Sequence, residues 1–236
     1  MAPTRNVIMP VSSSKFHHFR EIAPSKAKDT LKELSNTLAL NEAIDGATIH
    51  VQLSSDGTPF VLKDIIVDDS TDGAGFAKYH PIDDLKRLGV PSLDEVLDCY
   101  ANTKSLHCDQ TLHIELKSSG AVDVISKTLT KFSKESQIHI RNFVVSSFLH
   151  PELKALVGRN VNVQLGTSIM GVPHDFVECA KKNDSQILFI DNDFAEPSII
   201  AEAVHNGLIV IVRGVKRIEH THRLKDMGAR GAIYAS

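Results

Sequence analysis

Five residues in the first half of the chain have the types and spacing to do chemistry together: His50, Lys63, His113, Glu115 and Lys117. His113, Glu115 and Lys117 stand two apart in a run, 111–117, that reads as a strand, so their side chains share one face. His50 stands in a second such run, 47–53. If both faces turn into one interior, a carboxylate, two imidazoles and two ammonium groups crowd a single place. Three chemistries are open to that group. A Glu–Lys pair can simply neutralise a polar core. A cationic pocket can hold a phosphate or another anion. His50, His113 and Glu115 have the ligand types of a zinc site, although nothing in their spacing enforces one.

The elements that must position these residues follow from the apolar pattern. Short apolar runs fall at 6–11, 47–53, 111–117, 143–147, 161–165, 187–190, 208–212 and 231–234. Between them lie stretches with helical spacing. Val122, Ile125, Leu129 and Phe132 form one apolar stripe. Ser92 and Glu95 form a capping box after Pro91 and start a helix carrying Leu93, Val96, Leu97 and Tyr100. Regular strand–helix alternation predicts a parallel sheet covered by helices. Eight strands favour a closed (β/α)8 barrel, and the first run lacks the Gly-rich turn of an open dinucleotide-binding sheet. A polar insertion at 54–90, with a strand-like piece at 59–62, interrupts the pattern at the end of the barrel where active sites lie.

Other candidates have plainer readings. His17 and His18 follow the first run and read as surface, or as a pair able to swing over the mouth. Asp72 to Gly75 reads as a turn. Asp191, Asn192 and Asp193 read as a strand-to-helix turn. His220, His222 and Arg223 read as a solvated helix face. The sequence ends just past the eighth run, so the last helix is absent and apolar barrel surface is left for the segment 25–40, another subunit or a fusion partner to cover.

The motifs, taken in order, resemble the glycerophosphodiester phosphodiesterase family over nearly the whole length. Residues 43–64 follow, without a gap, the family's G-A-D-x-I-E-x-D-V-Q-L-T-x-D-G-x-P-V-V-x-H-D. Residues 90–97 resemble its I-P-T-L-E-E-V-L. His113 to Lys117 resemble N-I-E-x-K, Ser146-Ser147-Phe148 resembles S-S-F, and residues 228–235 resemble the closing G-x-D-G-I-I-T-D without either aspartate.

The resemblance implies a TIM-type barrel, a place in lipid metabolism, and a phosphoric diester hydrolase working with magnesium or calcium. In such an enzyme carboxylates hold the cation and two histidines carry protons. Asp64, Glu115 and Lys117 match that pattern. Thr48 and His50 stand where the family has its E-x-D carboxylates, and Lys63 stands where it has the second histidine. With the first strand at 6–11, the H-R-G motif is absent, and P-E-N-T is not found in register. Glu115 is then the one metal carboxylate matched, so no cofactor is expected. His50, Lys63, His113, Glu115 and Lys117 are the candidates for holding a ligand.

The reading this supports is one barrel domain over 1–236, with standard catalysis mostly lost, serving as a binding or regulatory pseudoenzyme for a phosphate-containing small molecule. An active metal-dependent hydrolase of glycerophosphodiesters with a relocated site is the first alternative, and a structural interaction domain is the second. A net charge of -3, from 26 basic and 29 acidic residues, gives no reason to expect nucleic acid as a partner. No apolar run reaches the ~18 residues of a membrane span. Cys99, Cys108 and Cys179 lack metal spacing and read as free thiols, so a cytoplasmic location is expected.

Overall fold

The computed structural model describes residues 11, 14–40, 43–103, 110–136, 138–159 and 161–235. Strands β1 (His17–Glu21), β2 (Gly46–Leu53), β4 (Thr111–Leu116), β5 (Phe143–Ser147), β6 (Gln164–Ser168), β7 (Ile187–Asp191), β8 (Ile209–Val215) and β9 (Gly231–Tyr234) run parallel. The sheet order is β1-β9-β8-β7-β6-β5-β4-β2, and β1 also pairs with β2, which closes an eight-stranded barrel. The short strand β3 (Pro59–Val61) folds back antiparallel on β2 at the start of the 54–90 insertion. Helices α1 (Thr30–Leu40), α3 (Leu93–Thr103), α4 (Val122–Glu135), α5 (His150–Val157), α6 (Phe176–Lys182), α7 (Pro197–His205) and α8 (Thr221–Asp226) connect successive barrel strands, while α2 (Ile82–Arg87) lies within the insertion.

The first strand differs from the sequence expectation. Of the run 6–11, residues 6–10 lie outside the described residues. The strand that opens the barrel is His17–Glu21, so His17 and His18 are strand residues and not a mobile pair after it. Val11 serves the interior instead. It is buried with Phe19, Val144 and Ile187, and its backbone exchanges two hydrogen bonds with the Gln164 amide at 3.0 and 2.9 Å.

Alternation sorts each strand into two faces. On β4, Leu112, Ile114 and Leu116 pack outward against the helices, and Thr111, His113 and Glu115 face the interior. The stripes read from the sequence are the faces that pack: Leu93, Val96, Leu97 and Tyr100 on α3, and Val122, Ile125 and Leu129 on α4, are buried in one cluster. The capping box is formed. The Ser92 hydroxyl donates to Glu95 Oε2 at 2.8 Å, and the Ser92 backbone N–H donates to the same oxygen at 2.8 Å. Ser92→Ala should therefore lower the unfolding free energy by about 1 kcal/mol in a urea titration; no change would mean that Glu95 alone secures the helix start.

The seam between β1 and β9, left by the sequence for another element to cover, packs against neighbouring residues of the barrel. Ala232 and Tyr234 on β9 are buried in one cluster with Ile44, against which Phe16 and Met227 also pack. The His18 and Tyr234 rings lie parallel and meet at their edges, with His18 Nδ1 2.5 Å from the phenol oxygen. The segment 25–40 does not bridge the seam: its helix α1 buries Leu34 and Leu38 with the α3 side of the barrel. Among the described residues no helix follows β9.

Candidate ligand site at the barrel mouth

The site is built from interior residues in the C-terminal halves of four strands. Glu21 ends β1, His50 lies near the end of β2, Glu115 near the end of β4, and Arg213 within β8. His50 stands at the centre. Its Nε2–H donates to Glu21 Oε1 at 2.9 Å and its Nδ1–H to Glu115 Oε1 at 3.3 Å. Both ring nitrogens face carboxylates, so the imidazolium, with two donors, is the form that fits. Burial alone would lower its pKa, but bonds and charge from Glu115 and Glu21 prevail and raise it. The second oxygen of each carboxylate is also engaged. Lys63 Nζ donates to Glu21 Oε2 at 2.8 Å, and Arg213 Nη1 donates to Glu115 Oε2 at 2.7 Å. Burial would raise the two carboxyls; His50, joined by Lys63 at Glu21 and by Arg213 at Glu115, holds each at about 2 instead.

Two further residues shape the mouth. The Phe148 ring carries the Arg213 guanidinium, with the carbon 4.6 Å from the ring centroid, which fixes the plane of the fork. Lys117 Nζ donates to the backbone carbonyl of Lys63, and burial lowers its pKa. Three cationic groups, His50, Lys63 and Arg213, thus meet two carboxylates, with Lys117 beside them on a backbone carbonyl. Asp64 sets its charge near Lys117, and its backbone carbonyl accepts from Gln52 Nε2 at 2.8 Å.

His113 does not join this group. One pleat repeat of two residues is about 6.6 Å, so His113 sits a layer below Glu115. There its Nδ1 is 3.1 Å from the Thr48 hydroxyl and its Nε2 2.8 Å from that of Ser146. The ring stacks on Phe189 at 4.4 Å between centroids, in space that Gly166 leaves open: a Cβ there would fall 2.2 Å from the Phe189 ring. Complete burial holds the His113 pKa at about 3, so the ring is neutral. The zinc set His50, His113 and Glu115 is therefore not brought together. Thr48, at one of the family's carboxylate positions, shares this lower layer with His113.

Sequence reasoning missed Glu21 and Arg213. Arg213 continues on β8 the inward phase of Ile209 and Ile211, so counting by twos past that apolar run would have found it, whereas for Glu21 the strand offers Phe19 as its one apolar signal. With β1 corrected, the position of H-R-G falls on Phe19-Arg20-Glu21. Phe19 and Glu21 face inward, and Arg20 on the other face lowers the pKa of Glu33 on α1 against the larger effect of burial, which raises it. Asp191 accepts the Asp193 N–H at 3.1 Å, the turn chemistry expected there, while His220 and Arg223 lie exposed. Cys99 and Cys179 are free thiols; Cys108 lies outside the described residues.

Residues 33–235 match the glycerophosphoryl diester phosphodiesterase family. The chain belongs to that family. A glycerophosphodiester phosphodiesterase of Caldanaerobacter subterraneus subsp. tengcongensis is 25% identical over 213 residues, 83% of this chain and 84% of its own. The barrel superposes on a phosphodiesterase of Oleispira antarctica, solved with the product sn-glycerol-3-phosphate, with a TM-score of 0.74 at 17% identity, covering 93% of this chain and 92% of that one. A glycerophosphodiester phosphodiesterase of Thermotoga maritima gives 0.70 at 19% identity, covering 93% and 94%. These likenesses establish the barrel.

The family implies a divalent cation, and the residues at this mouth do not fit one. A hard cation takes several oxygen ligands. Here all four oxygens of Glu21 and Glu115 accept from nitrogen donors, and His50 occupies the space between the two carboxylates. Among the described residues no group of three His, Cys, Asp or Glu is arranged to hold a metal.

Proposed function

We propose that this family member is a barrel-shaped binding or regulatory module that takes a phosphate-bearing small molecule at its mouth, without a metal ion and with little of the family's standard hydrolysis. The observation that carries the reading is the imidazolium of His50 clasped between Glu21 and Glu115, a protein-borne cation placed between two carboxylates. Counting Lys63, Lys117 and Arg213 with His50 against Glu21, Glu115 and Asp64, the mouth keeps a small positive excess. A guanidinium carries five donors in a planar fork, and the bond to Glu115 uses one of them. Lys63, 42% exposed, can turn toward an anion.

The rival reading, an active metal-dependent hydrolase, draws support from family membership, and one experiment separates the two. Calorimetric titration with sn-glycerol 3-phosphate should show binding that is unchanged by EDTA and weakened about tenfold or more by Arg213→Ala, with Arg213→Lys intermediate because it lacks the fork. Lys63→Ala should weaken it less. Turnover of glycerophosphocholine that requires magnesium or calcium and disappears in Glu115→Ala would replace the binding reading with the enzyme. Equal affinity in the native protein and Arg213→Ala would remove Arg213 from the site.

A further inference from the structure

Seven large hydrophobic side chains are well exposed among the described residues, and six of them lie at one end of the barrel. Ile65, Phe76 and Tyr79 belong to the segment between β2 and α3. Met170 follows β6, Phe194 follows β7 and Ile218 follows β8. The seventh, Val204, is on α7. In a parallel barrel every strand-to-helix loop emerges at the C-terminal mouth, so the six surround the cationic site. In the closed sheet order β2 stands four strands from β7 in either direction. The apolar groups therefore form two prongs on opposite sides of the mouth.

The first prong is built, not loose. Ile66 and Phe76 form an antiparallel bridge, and the Ala77 N–H donates to the Ile65 carbonyl at 3.0 Å, which sets Ile65 beside the aromatic pair. The Phe76 and Tyr79 rings meet edge to face at 5.9 Å, and the Lys78 ammonium sits over Tyr79 at 5.0 Å. Aromatic rings with a lysine head beside them suit the boundary between hydrocarbon and water. On the opposite prong Met170 is 82% exposed. Burying such groups from water is favourable only against an apolar phase, and singly exposed residues would be scattered over the molecule.

We propose that the mouth end docks on a zwitterionic phospholipid bilayer, with both prongs entering the interfacial layer and a headgroup phosphate between them facing Arg213 and Lys63. The headgroup contact rests on the phosphate-binding reading; the docking of the prongs does not. The choice of a zwitterionic surface follows from charge. Lys63, Lys78, Lys216 and Arg217 at this end stand among Asp64, Asp68, Asp72 and Asp193, so the loops carry no one-signed field that would seek an anionic membrane.

Flotation of the full chain with phosphatidylcholine vesicles tests this. The native protein should rise with the vesicles, and the partition coefficient should fall at least about tenfold in Phe76→Ser/Tyr79→Ser and in Met170→Ser. Val204→Ser should float like the native protein. Binding should change little from about 50 to about 300 mM salt, as apolar insertion requires. No flotation, an equal loss in Val204→Ser, or prong-dependent dimers in solution that exclude vesicles would overturn the proposal. Titration of the same variants with soluble sn-glycerol 3-phosphate keeps the two readings apart. Flotation without soluble binding sinks the phosphate site alone, and soluble binding without flotation sinks the docking alone.

Discussion

Glu115→Gln should lower the unfolding free energy by roughly 3–5 kcal/mol, the range for breaking a buried pair from one side. The side chain is 3% exposed and its two oxygens accept from His50 and Arg213. Glutamine keeps the shape and removes the charge, so the partly buried Arg213 guanidinium loses its carboxylate and the buried His50 imidazolium keeps Glu21 alone. A carboxylate poised for catalysis behaves in the opposite way, because its removal commonly relieves strain and raises stability. Urea unfolding of the native protein, Glu115→Gln, Arg213→Met and the double variant decides between them. The double variant should lose less than the sum of the singles, since it leaves no cation orphaned. A loss under about 1 kcal/mol in Glu115→Gln would mean that the network does not hold the barrel mouth together.

Stability should peak near neutral pH and fall on both sides, with a different residue governing each limb. His113 has a folded pKa of about 3 against 6.5 for a free imidazole. Between those values the unfolded chain binds a proton that the folded chain refuses, so stability drops as pH falls, by up to about 1.4 kcal/mol per unit. Below 4.5 the loss steepens, because Glu21 and Glu115 are held at about 2 and the unfolded chain takes up two further protons. On the other side His50 works in the reverse sense. Its pKa is raised, so its contribution is complete below 6.5 and is lost as pH rises through the folded value. Urea midpoints from pH 4 to 9 would trace the curve. His113→Gln should flatten the stretch between pH 6.5 and 4.5 and leave the alkaline limb unchanged. A native curve with no acid slope above pH 4.5 would show that His113 does not govern that limb.

Much of the barrel was legible because its outward faces obey simple periodicities. Phe143–Ser147 and Gly231–Tyr234 coincide with their apolar runs, and the α3 and α4 stripes are the buried faces of those helices. The run 161–165 slipped to Gln164–Ser168 because Val161 and Val163 are apolar but precede the strand, whereas Gly166, Thr167 and Ser168 within it look like loop. The opening strand failed for a related reason. His17-His18-Phe19-Arg20-Glu21 reads as polar surface, yet its inward positions are those that a polar interior recruits. The site suffered from depth as much as from phase. Alternation assigned His113, Glu115 and Lys117 to one face correctly, but it carries no information on height within the barrel, and height separates a neutral core histidine from a charged mouth. Glu21 and Arg213 come from strands that the linear pattern does not connect to β2 and β4; only closure of the sheet brings them there.

The stacking of His113 on Phe189, made possible by the bare Gly166, has a spectroscopic consequence. A ring held face to face over another lies in its shielding cone, so the carbon-bound protons of His113 should resonate upfield of the other histidines. Because that ring stays neutral across the ordinary pH range, its signals should hold still while those of surface histidines move. They should shift only when the two rings part. One pair of resonances would then report on the barrel interior, separately from events among the loops above it.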